Sequence, residues 1–206
     1  MKSAITIIVL LFVVFGSKAQ SDTIEQHNAY GVWFLPAKRA NVYGLSLGLF
    51  GNEALCYVPF EKNTHGVNIQ LGQGFFSVLA PLQMRFPENG NPDSVFSYRA
   101  NENYIRAKHN GLLISALGTW TPVTNGISIS GLASTGGKMN GLTFNPILSQ
   151  YASLNGVSVA LINISLRTRG IQVGLINKTR ELKGFQFGLW NVNRKRSLPF
   201  VNWCFR

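Results

Sequence analysis

Eight carboxylates, three histidines and two cysteines carry most of the reactive chemistry in this 206-residue chain. The carboxylates are Asp22, Glu25, Glu53, Glu61, Glu88, Asp93, Glu102 and Glu181. None stands in a close pair of the kind that general acid–base catalysis uses. His27, His65 and His109 share no metal-ligand spacing with Cys56 or Cys204. His65 and His109 each stand at the entry to a repeated segment, so they read as turn residues. Gly136-Gly137-Lys138-Met139 lacks the spacing of a phosphate-binding loop, and Gly72-Gln73-Gly74 is too short for a nucleotide fingerprint. No serine occupies a Gly-x-Ser-x-Gly elbow. The sequence therefore points away from an enzyme and names no catalytic, metal or cofactor residue. A site assembled from distant segments is the remaining enzymatic alternative.

The side chains that stand out are cationic. Arg167, Arg169, Lys178, Arg180, Lys183, Arg194, Lys195 and Arg196 fall between successive apolar stretches. Residues 103–206 hold twelve Lys and Arg against one acid, Glu181. Such a surface attracts anions over a Debye length of about 8–10 Å. The competing reading is that these charges only keep the turns of an apolar repeat soluble.

The element that positions them is an internal repeat. Gly126, Gly141, Gly156, Gly170 and Gly184 open units spaced 15, 15, 14 and 14 residues apart, and Gly111 stands 15 earlier. Gly44 and Gly66 open less regular copies. After each Gly, apolar residues alternate with Ser, Thr, Gln, Gly or Ala, as in Gly156-Val157-Ser158-Val159. Period two with two unlike faces is a strand signature, and the β-branched and aromatic content agrees. Asn110-Gly111, Asn125-Gly126, Asn140-Gly141 and Asn155-Gly156 carry the dipeptide of a two-residue hairpin turn. A second polar stretch follows Asn163, Asn177 or Asn191. Two turns per unit imply two strands of about five residues each.

The fold expectation is all-β: a shallow closed barrel of short antiparallel hairpins, one per 14–15-residue unit. A β-solenoid with one unit per coil and an outer-membrane β-barrel with one strand per unit are the alternatives. Hairpins would gather the eight cations on one rim. One strand per unit would alternate them between two rims.

The N-terminus reads as a targeting signal. Met1 and Lys2 precede an apolar run from Ala4 to Phe15, and Gly16-Ser17-Lys18-Ala19 resembles a signal-peptidase site, placing cleavage after Ala19. The remainder, 20–206, reads as one β-repeat domain with an insertion at about 72–108. Removing Lys2 and Lys18 from 19 bases and 8 acids leaves 17 − 8 = +9. Export to the periplasm, outer membrane or cell surface makes lipid head groups, anionic glycolipid or acidic polysaccharide the expected partners, and argues against nucleic acid. Export also permits a Cys56–Cys204 disulfide, although two separate thiols are the simpler reading. Asn163-Ile164-Ser165 and Asn177-Lys178-Thr179 match a glycosylation sequon, but they arise from the repeat's own Asn.

From Gly156 to Trp203, and above all in Gly170-Ile171-Gln172-Val173-Gly174-Leu175-Ile176-Asn177 and Gly184-Phe185-Gln186-Phe187-Gly188-Leu189-Trp190-Asn191, the chain resembles a family of exported bacterial surface-repeat proteins of Bacteroidetes and spirochaetes. Their units have the form Gly-apolar-Gln-apolar-Gly-Leu-apolar-Asn. The resemblance is looser from 41 to 155. It implies an envelope location and assigns no activity or functional residue. The pattern also looks like β-flower proteins, in which hairpins surround a shallow barrel. Some of those are similar to tubby-like domains, which enclose an apolar helix and bind membrane lipid. The apolar run Gly74–Leu82, within 74–86, is the counterpart here. It reads either as a plug or membrane-dipping helix limited by Pro81, or as a buried strand or loop. The functional expectation is a non-enzymatic envelope repeat protein that binds membrane or anionic glycolipid through its basic rim. An outer-membrane channel or purely structural barrel is the alternative.

Overall fold

The computed structural model describes residues 27–35, 40–51, 62–72 and 107–205. Nine strands follow one another: β1 (His27–Leu35), β2 (Ala40–Gly48), β3 (Lys62–Gly72), β4 (Ala107–Ser130), β5 (Ala133–Phe144), β6 (Leu148–Val159), β7 (Ile162–Val173), β8 (Ile176–Val192) and β9 (Ser197–Cys204). They hydrogen-bond in chain order within a single sheet. Every pairing from β1 to β8 is parallel, and β9 returns antiparallel along β8.

The chain is a β-solenoid, with one 14–15-residue unit per coil along β4–β8. The all-β class holds and the solenoid alternative is the one realised. The favoured barrel of antiparallel hairpins is not. Among the described strands, antiparallel pairing occurs between β8 and β9 alone. The expected signal peptide at 1–19, the expected apolar insertion at 74–86 and Cys56, with any pairing it makes, lie outside the described residues.

The Asn-Gly dipeptides misled for a specific reason. Their glycines do adopt positive φ, from +128° at Gly126 to +137° at Gly156, but in a corner within each strand rather than in a reversing turn. Gly31, Gly44, Gly66, Gly111, Gly126, Gly141, Gly156, Gly170 and Gly184 stack in one column. A Cβ on any from Gly44 onward would strike the carbonyl oxygen of the glycine before it. Both φ and the close approach therefore require glycine. The chain folds over at this corner: Ser149 and Ser158, on opposite sides of Gly156, meet at 2.7 Å inside the coil.

Polarity runs opposite to that of an ordinary domain. The alternating polar residues point inward and the apolar ones outward. Among the described residues the fully buried side chains are largely Ser, Thr, Asn and Gln. Apolar packing is confined to small groups, Ala29 with Leu35 and Val42, and Met139 with Tyr151 and Leu154.

A buried amide or hydroxyl destabilises unless it is hydrogen-bonded, and in the C-terminal coils in-register stacking supplies partners for the Gln and Asn ladders. Gln186 Nε2 donates to Gln172 Oε1 at 2.8 Å, and Asn202 Nδ2 donates to Gln186 Oε1 at 3.0 Å. Asn163 and Asn177 form a second inner ladder with Asn191, and each also donates to a turn carbonyl, Val173 O or Phe187 O. Such amide ladders are a known stabiliser of in-register stacks.

These ladders decode the repeat formula. Its first Gly is the corner, Gln builds one inner ladder, and Asn builds the other. The second Gly packs against the Asn amide of the preceding rung, as Gly188 does against Asn177 Nδ2. The apolar positions face out.

Candidate anion-binding face

The cations that sequence reading singled out lie on β7, on β8 and in the short connection from β8 to β9. In β7, Asn163, Ser165 and Thr168 turn inward. Ser165 and Thr168 hydroxyls lie 2.5 Å apart, so Arg167 and Arg169 project outward. The same holds one rung on, where Asn177, Thr179 and Leu182 are buried and Lys178, Arg180 and Lys183 are exposed. Arg194, Lys195 and Arg196 are exposed too.

Parallel register sets these groups side by side. Arg167 stacks on Glu181 and Arg169 on Lys183. Arg194 N donates to Arg180 O at 3.3 Å, which sets Arg194 one rung above Arg180. Arg167 and Arg169 thus lie on the outer side just before the Gly170 corner, with Glu181 and Lys183 beside them one rung on, and Arg180 and Arg194 lie on adjacent rungs. This is neither a ring of hairpin turns nor an alternation between two rims. A unit that makes one full coil returns each repeat position to the same side.

Arg167 and Arg196 have side-chain partners within the fold. Arg167 Nε meets Glu181 Oε2 at 3.0 Å, with both side chains more than half exposed, so the pair contributes little. Arg196 is a clamp for the terminal hairpin. Its Nε donates to Asn202 Oδ1 at 3.0 Å and its terminal nitrogen to Trp203 O at 2.5 Å. Its guanidinium lies 4.6 Å from the centre of the Trp203 ring. Asn193 Oδ1 accepts from the backbone N–H of Lys195 and of Arg196 and closes the turn.

The remaining cations, such as Arg169, Arg180, Lys183, Arg194 and Lys195, form a patch in which neighbouring rungs lie only about 4.8 Å apart. Like charges directly opposite one another on adjacent strands are destabilising. Glu181 is the one acid among the described residues. The fold thus tolerates a repulsion that a bound anion would relieve.

No family model matches the chain, and no curated protein or solved structure matches it. The face must be read from its own chemistry, that of exposed cationic donors on adjacent rungs.

The histidines are not turn residues. His109 is buried within β4, its Nδ1 2.6 Å from Thr64 Oγ1. Desolvation holds its pKa down at about 4; a backbone hydrogen bond at Leu112 opposes this and the charge of His65 adds to it. His65 stacks on Tyr43 at 4.5 Å, and Tyr43 on Tyr30 at 5.3 Å. Among the described residues no three His, Cys, Asp or Glu side chains cluster to hold a metal. Asn163 and Asn177, the sequon asparagines, are fully buried ladder members.

Sequence reading missed the pair of apolar ladders on the other outer side, after the glycine column. One runs Ile127, Leu142, Val157, Ile171, Phe185, Trp203 and the other Ile129, Phe144, Val159, Val173, Phe187, Val201. Both recur in β1–β3, from Val32 and Phe34 to Val67 and Ile69. The signal was present in the alternation, but alternation does not say which face is inside.

Proposed function

We propose that this chain is a non-enzymatic, exported repeat protein of the cell envelope, of the surface-repeat kind its units resemble, and that it binds an anionic membrane or glycolipid surface through its C-terminal basic face. The observation that carries the reading is the in-register stacking of Arg169 on Lys183 and of Arg180 beside Arg194, on rungs where Glu181 is the one acid. Each exposed cation close to an anionic bilayer contributes about 1 kcal/mol, so several together give measurable recruitment. Export rests on the signal-like segment 1–19, and localisation follows from it.

The test is co-sedimentation of the mature chain with anionic and with zwitterionic vesicles at low salt. Preferential capture by the anionic vesicles is expected. That preference falls in a triple variant, Arg169→Gln, Arg180→Gln and Lys183→Gln, whose side chains face solvent. A folded wild-type chain that ignores anionic vesicles refutes the reading.

A further inference from the structure

The outer side that follows the glycine column is lined by apolar side chains. Two apolar ladders run along it for the length of the solenoid. With ten members from Val32 to Trp203 and about 4.8 Å per step, this is a strip about 43 Å long. Members at intervals along it are well exposed, Ile127 43 %, Phe144 48 % and Trp203 46 %, and others such as Val157 and Ile171 are half-buried. Contiguous apolar surface on this scale marks an interaction site.

Three features choose the occupant. The first is the inverted polarity, since amides and hydroxyls meet each other inside the coil through the Asn and Gln ladders. With the amides turned to one another inside, the outward apolar side chains can meet hydrocarbon without burying a polar side chain. The second is the border. Arg169 and Lys183 immediately precede Gly170 and Gly184, and the apolar Ile171 and Phe185 immediately follow. Cations along the edge of an apolar strip can reach head groups while the strip meets acyl chains. The third is an aromatic end, where Phe185, Phe187 and Trp203 lie beside the basic face. Aromatic residues favour the head-group boundary.

We infer that the two ladders after the glycine column seat the solenoid lengthwise against the acyl region of the membrane that its basic face recruits. The ligand is the hydrocarbon edge of one leaflet, and the inference rests on the membrane reading above.

The test uses the mature chain with Cys56→Ser and Cys204→Ser, carrying a bimane on Phe144→Cys in the ladder or on Lys138→Cys on the opposite outer side. The probes are anionic vesicles with and without brominated acyl chains. The expected result is quenching of the label at 144 but not at 138. Binding made at low salt should also survive a wash at about 0.5 M salt, where exposed charges are screened within a few ångströms. In an unlabelled Leu142→Thr, Phe144→Thr variant, which keeps β-branched outward residues and folds as judged by circular dichroism, retention after the wash falls about tenfold or more.

Binding to anionic vesicles at low salt with neither label quenched overturns this inference and leaves the basic-face reading standing. Absence of binding in a folded chain overturns both. A label at 144 that is shielded without lipid, together with a dimer mass in solution, assigns the strip to a second copy and also overturns the inference.

Discussion

Asn177 donates to Asn191 at 2.7 Å inside a coil where neither side chain reaches solvent. Asn163 extends the ladder by donating to Asn177 at 2.8 Å. The next rung gives Asn163 and Asn177 an amide partner, and backbone carbonyls take their remaining N–H capacity. Cutting the ladder at its middle member leaves the Asn191 oxygen without its Asn177 donor and the Phe187 carbonyl with the Gly174 N–H alone. Asn177→Ala is therefore expected to destabilise the chain by about 2–4 kcal/mol. Urea unfolding followed by circular dichroism measures it. A change below about 0.5 kcal/mol would show that the ladder is incidental.

The corner column makes a sharper demand. Gly170 sits at φ +137°, and a Cβ there would run into the Gly156 carbonyl. Gly170→Ala combines backbone strain with a clash against a neighbouring strand, so a loss of at least about 3 kcal/mol is expected. Val173→Thr, on an outward ladder position of the same strand, should change stability by less than about 1 kcal/mol. Equal effects in thermal melts would contradict the corner.

The cations should separate by role. Arg196→Gln loses the donors to Asn202 and Trp203 and the ring contact, and should lower the melting temperature by several degrees. Lys195→Gln, on the next residue, should leave the melt unchanged. If the two melts coincide, Arg196 is not a clamp.

His109 predicts an acid-side loss of stability. In the fold its pKa is about 4, against 6.5 as an unperturbed group. The native state keeps the ring neutral where the unfolded chain binds a proton, so stability is full above about pH 6.5. It then declines as pH falls from 6.5 toward 4 and levels off below. The total is on the order of 3 kcal/mol for a shift of this size. His109→Thr, which continues the hydroxyl column between Thr64 and Thr124, should flatten that window in denaturant midpoints measured against pH. A wild-type midpoint constant from pH 7 to pH 4.5 would rule the effect out.

Much of this protein could be read without coordinates. The alternation after each glycine was enough for strands, and the 14–15-residue spacing was enough for a repeat. The position of Arg167, Lys178 and Arg194 between apolar stretches marked the cations. Local geometry carries that information, because strand period and chain spacing are properties of neighbours in sequence.

Tertiary structure decided what neighbours cannot. A positive-φ glycine after Asn serves a hairpin turn or a solenoid corner equally well, and only the approach of Gly170 to the Gly156 carbonyl selects the corner. Alternation defines two faces without choosing the buried one. Here the polar face lies inside because in-register stacking gives Gln172 and Gln186 one another as partners, and antiparallel β9 adds Asn202. The same register sets Arg169 beside Lys183 and lines up the apolar ladders after the glycine column, an arrangement that exists only once whole coils are stacked.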